Sequence, residues 1–168
     1  MRKYNSTLVA GFGAAVLSIV PILKNFSFIL LVPLAAVISL YLDKNVNKNY
    51  NKIKISKAIL FGFMTGLFAT LFFVTFDLFI TFLTKTNDFV QTLPEAQKTI
   101  KEMKLGKYVE ESIELMLQMA DEIREKGFSL LYTALMFLSN FITNSIFGII
   151  GGLLGMISIN RKIQETEK

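Results

Sequence analysis

A single carboxylate, Asp77, interrupts an otherwise almost wholly apolar run from Ile59 to Leu83. The run exceeds the roughly 20 residues that a helix needs to cross a hydrocarbon core of about 30 Å. Within lipid a single segment satisfies its own backbone hydrogen bonds only as a helix, so the run restricts the chain to helical membrane architectures. A charge at that depth is expensive and correspondingly rare. Asp77 is therefore both the strongest constraint on the fold and the first candidate for a polar site.

Composition agrees with this reading. Of the 168 residues 52% are hydrophobic, and the mean hydropathy of +0.50 is high for a chain with a water-facing surface. A net charge of +5 raises the question of nucleic-acid binding. The basic residues, however, flank apolar runs and do not alternate with aromatic stacking residues, so no nucleic-acid partner is expected. The chain has no cysteine and no histidine. Those absences remove thiolate chemistry, disulfides, the commonest metal ligand and the usual neutral-pH base, and no cofactor or metal is expected.

Hydropathy predicts four spans, at 8–23, 26–42, 59–83 and 128–159, in a single membrane domain over 1–168. Arg2 and Lys3 ahead of the first resemble a secretory signal, but no small-residue cleavage site follows, so the segment reads as a retained helix. Lys24 and Asn25 alone separate the first two spans. These form a tight hairpin, kinked at Pro21 and Pro33, or else a re-entrant pair that does not cross fully. Lysines 44, 48, 52, 54 and 57 lie between the second and third spans, and Arg161 and Lys162 follow the fourth. With four spans all the lysine-dense segments fall on one side, the cytoplasmic one, together with both termini. The expected location is a bacterial cytoplasmic membrane.

Residues 84–127 then form an extracytoplasmic insertion, with nine acids against seven basic residues. Thr92-Leu93-Pro94-Glu95 matches a capping box and predicts a helix start there, and Gly106 predicts a break. Beyond it Val109, Ile113, Met116, Ala120 and Ile123 recur at helical spacing, predicting an amphipathic helix. Its polar face is too acidic for attraction to anionic lipid. The stripe either packs against a neighbouring helix or, through Val109, Ile113, Met116 and Ile123, offers a surface to another copy or another protein.

Within the spans, Gly62, Gly66 and Thr70 share one side of the third helix, and Asn140, Asn144, Gly148 and Gly152 share one side of the fourth. Such small-residue faces predict close helix packing through Gly62, Gly66, Gly148 and Gly152. Counting from span midpoints places Asp77 at the depth of Asn140. Asp77, Asn140 and Asn144 are thus a candidate intramembrane polar site, with Lys24, snorkelling inward from the hairpin, as an alternative partner for Asp77.

The segments Ala10-Gly11-Phe12-Gly13-Ala14-Ala15, Leu34–Leu42 and Gly148–Gly155 give the chain a glycine- and alanine-rich first span, a close hairpin and a terminal glycine cluster. In this arrangement it resembles small bacterial integral-membrane proteins of a domain-of-unknown-function family. The resemblance implies an all-α polytopic architecture and no activity. A non-enzymatic structural, interaction or accessory subunit is the leading expectation, with the bilayer and a second copy or another membrane protein as partners. The alternative is a small transporter or channel at Asp77, Asn140 and Asn144. A hydrolase is disfavoured, because no carboxylate pair or nucleophile–base pair can be assembled within the spans.

Overall fold

The computed structural model of the protein describes residues 5–48, 51–102 and 107–166. These residues are almost entirely helical, with no strand among them. Three helical segments, Ser27–Val46, Ile55–Thr84 and Leu130–Glu165, are long and apolar enough to cross a membrane.

The first apolar run is not one continuous helix. Helix α1 (Asn5–Ser18) stops short of Pro21, and Val20 adopts an extended conformation before the short α2 (Pro21–Lys24) begins. Proline lacks the N–H that would bond the preceding turn, and its ring disfavours a helical residue before it. At 14 residues α1 is about 21 Å long, less than the roughly 30 Å hydrocarbon core. The expected span over 8–23 therefore divides at Ile19 and Val20.

The second run tolerates its proline by a different device. A π-helical turn, Ser27–Leu31, leads directly into α3 (Val32–Val46), and the Val32 amide reaches back five residues to the Ser27 carbonyl. The widened turn accommodates Pro33 without ending the helix. The two long helices follow the apolar runs and extend past them, α4 over Ile55–Thr84 and α7 over Leu130–Thr166.

The insertion contains α5 (Asp88–Glu102) and α6 (Lys107–Lys126). Helix α5 begins four residues before the expected capping box. Its start is fixed by Asn87, whose Oδ1 accepts the Val90 amide at 3.0 Å. Thr92 instead donates its hydroxyl to the Asp88 carbonyl at 2.8 Å, and Pro94 lies inside the helix. The break expected at Gly106 falls outside the described residues. Gly127, at φ +73°, closes α6, with the Phe82 backbone so near that a Cβ would meet its carbonyl at 2.7 Å. The Ser129 hydroxyl then caps α7 by accepting the Tyr132 amide.

The chain divides into two compact units, Met1–Val74 with Phe137–Lys168 and Thr75–Met136. In the first, α1 packs on α3, and Ala10, Ala14, Val32, Ala35 and Ala69 form a core of small side chains. A Cβ at Gly62 would overlap the Gly148 carbonyl, one at Gly66 that of Asn144, and one at Gly151 the backbone of Pro33. Helix α7 thus lies backbone to backbone against both α4 and α3. A second cluster buries Leu40, Ile53, Phe61 and Ile159 around Ala58, but most large apolar residues of α7 point the other way. On α7, Leu138, Ile142, Ile146, Ile150, Leu154 and Ile157 are all exposed, while Asn144, Gly148, Gly151, Gly152 and Gly155 are buried. This distribution inverts that of a water-soluble core and matches membrane packing, where small residues admit close approach and lipid covers the large ones.

In the second unit α5 and α6 form a hairpin around Val90, Leu93, Ala120 and Ile123, with Phe89, Met116, Leu117 and Tyr132 packed against them. The α6 stripe faces inward here. Ile113 and Ile123 are buried, and Val109 and Met116 are partly buried.

Replacing Gly62 or Gly148 with Val is expected to destabilise the first unit by at least about 1–3 kcal/mol, since the new side chain must displace backbone. Gly13→Val is the control, because a Cβ there meets nothing within 4 Å. Thermal unfolding in detergent should show a lowered transition for the first two variants and an unchanged one for the third.

Candidate functional site

The polar residues of the long helices are positioned by the glycine contacts. Helices α4 and α7 run antiparallel, with Ala58 against Gly152, Gly62 against Gly148 and Gly66 against Asn144. The next turn of α4 therefore presents Thr70 to the turn of α7 that carries Asn140 and Asn144. Thr70 is fully buried, and its Oγ1 accepts a hydrogen bond from Asn144 Nδ2 at 3.1 Å. The same hydroxyl lies 3.0 Å from the carbonyl of Gly66 and 3.2 Å from that of Asn140, and donates to them. Asn144 is 4% exposed, so this clasp is shielded from solvent. Thr65 similarly returns its hydroxyl to the Phe61 carbonyl at 2.8 Å, leaving no exposed polar edge on that face.

Asp77 belongs to the second unit, whereas Asn140, Asn144 and Lys24 belong to the first. Lys24 places its ammonium 5.6 Å from the centre of the Phe73 ring, a cation–π contact. Asp77 is half-buried, with Oδ2 fully enclosed, and within its own unit it lies in electrostatic reach of Tyr132. Tyr132 stacks on Phe89 with ring centres 5.1 Å apart and also senses Asp88. One turn beyond Asp77, buried Thr81 is held by Asn87 Nδ2 at 3.4 Å. Sequence reasoning missed Tyr132, which interacts with Asp77, and Asn87, which holds Thr81. Tyr132 sits near the start of an apolar run, where tyrosines favour the membrane boundary, and that was the available signal.

A further polar cluster joins the ends of α3, α4 and α7. Asp43 is buried at 3% exposure, and its carboxylate accepts from Lys57 Nζ through Oδ2 and from Asn47 Nδ2 at 2.8 Å through Oδ1. Asn160 of α7 clamps Ile53 from both sides, accepting its amide at 2.8 Å and donating to its carbonyl at 3.0 Å. Lys162 rests 5.8 Å from the centre of the Tyr41 ring. Among the described residues no group of three or more metal-ligating side chains occurs.

The family described as "Protein of unknown function (DUF4199)" matches residues 6–159. The chain belongs to this family. No curated protein and no solved structure shows significant similarity to it. Membership covers α1 through nearly all of α7, so both units described above fall within the family's extent.

The Thr70–Asn144 clasp makes a quantitative prediction. A double-mutant cycle with Thr70→Val and Asn144→Leu, read by unfolding in detergent, should give a coupling energy of about 0.5–2 kcal/mol. Additive single effects would show that the two side chains do not act on each other.

Proposed function

We propose that the chain is a non-enzymatic integral-membrane protein, serving as a structural, interaction or accessory subunit of a bacterial cytoplasmic membrane. The observation that carries this reading is the glycine-lined seam between α4 and α7, with leucine and isoleucine exposed along the opposite side of α7. Several of its buried polar side chains are engaged with one another or with helix carbonyls, as in Thr70–Asn144 and Ser18–Ala14. Such a unit is built for packing and for presentation to lipid or to another membrane-embedded chain.

In this reading α1 is the fourth membrane helix, both ends of the chain face the cytoplasm, and residues 84–127 lie on the opposite side. The charge pattern supports it. The segment joining α3 and α4 carries Lys48, Lys52 and Lys54, and Arg161 and Lys162 close α7. Single cysteines at Lys54 and Glu111, in a chain that has none of its own, should react with a membrane-impermeant maleimide only from the cytoplasmic and only from the external side, respectively. The reverse pattern would invert the orientation. Labelling of both from one side would remove the membrane insertion of α4.

The enclosed Oδ2 of Asp77 favours a second reading, a small transporter or channel in which that carboxylate handles an ion or proton. Asp77→Asn separates the two. A transporter loses solute or proton flux in vesicles while remaining folded, whereas a structural subunit keeps its melting transition and its association with its partner.

A further inference from the structure

We propose that a pocket where α3 ends and α4 begins binds the phosphate of an anionic phospholipid headgroup. The proposal rests on the membrane reading above and adds a ligand and a site to it. The pocket has a volume of about 230 Å³ and is lined by Lys44, Lys52, Lys54, Lys57, Ser56 and Asp43, among others. That is several times the volume of a water molecule, enough for a phosphate with a small polar substituent.

Its charge is arranged for an anion. The single carboxylate, Asp43, is buried and already occupied by Lys57 and Asn47. Lys44, Lys52 and Lys54 form an ion pair with no described carboxylate, so the pocket carries surplus positive charge. Its walls are also held in place before any ligand arrives. Asn160 fixes Ile53 through two backbone hydrogen bonds, and the Lys57 ammonium is anchored by Asp43 and by the Phe61 ring 5.2 Å away. The ordering cost on binding is correspondingly small. Helix α4 begins at Ile55, so its positive end adds to the field at Ser56.

Position selects a lipid over free phosphate. The pocket lies between the ends of two membrane-length segments, Ser27–Val46 and Ile55–Thr84, which on the membrane reading is the level of the headgroup phosphates. Exposed apolar side chains flank it on both helices: Val46 is 69% exposed, Ile55 61% and Ile59 40%. These give acyl chains a surface directly beside the basic pocket, and lysine-rich sites at the cytoplasmic ends of membrane helices attract anionic lipid.

The test uses the full chain, purified in detergent and delipidated, with bound species counted by native mass spectrometry. Phosphatidylglycerol should bind on the order of tenfold more tightly than phosphatidylcholine, and Lys52→Gln with Lys54→Gln should remove most of that preference. Lys98→Gln with Lys126→Gln, lysines of the insertion, should leave it intact. Equal binding of the two lipids, or a preference that survives loss of Lys52 and Lys54 while the melting transition is unchanged, overturns the proposal. Inorganic phosphate displacing phosphatidylglycerol at equal concentration overturns the assignment to lipid. A chain that stays dissolved without detergent defeats the membrane reading itself. One that needs detergent yet ignores headgroup charge defeats this proposal alone.

Discussion

Backbone contact between α4 and α7 is the constraint on which the first unit depends. Gly62, Gly66, Gly148 and Gly152 let the two helices meet with no side chain between them. Lipid tails are as apolar as leucine, so burial of large side chains supplies little net force within a bilayer, and association there comes from close dispersion contact and interhelical hydrogen bonds. Glycine at the seam maximises the first, and the Thr70–Asn144 clasp, one turn along the same seam, supplies the second. Once that register is set, α7 turns its other small residues, Gly151 and Gly155, to α3 at Pro33 and Val37. Gly11 of α1 in turn meets Thr65 and Ala69 of α4.

The two units solve different problems with the same element. In the first, small residues fill the α4–α7 seam and the α1–α3 contact, large ones are exposed along α7, and Leu40, Phe61 and Ile159 form a separate buried cluster. In the second, the α5–α6 hairpin buries Val90, Leu93, Ile113 and Ile123 and leaves its acids outward, as a water-exposed domain does. Asp88, Glu95, Glu111, Glu114, Asp121 and Glu125 are all exposed.

The long helices were legible because hydropathy over more than twenty residues is a strong signal, and the packing faces because small residues recur every fourth position. Three features were not. The stop of α1 at Ser18 turns on Pro21, whose effect depends on context: Pro33 is absorbed by a π-helical turn and Pro94 sits within α5, while Pro21 ends its helix. The start of α5 was masked by a motif match at Thr92, whereas the cap comes from Asn87, which a short link from α4 places at the hairpin entrance. The pairing of Asn140 and Asn144 with Thr70 was not legible either, because the glycine contacts fix the register. Hydropathy locates a helix in the membrane and says little about its vertical offset from a neighbour. That offset is decided by which carbonyl meets which glycine.

The central claim, that lipid covers the outer face of α7 while its small residues line the seam with α4, is tested most directly by a nitroxide scan of α7 in vesicles. Single spin labels from position 138 to 157 would be read for collision with dissolved oxygen and with a water-soluble nickel chelate. The account expects oxygen maxima at 138, 142, 146, 150 and 154, minima at 144, 148, 151 and 155, and little chelate contact on either face. Chelate collisions at the leucine and isoleucine positions, or oxygen maxima at the glycine positions, would contradict it.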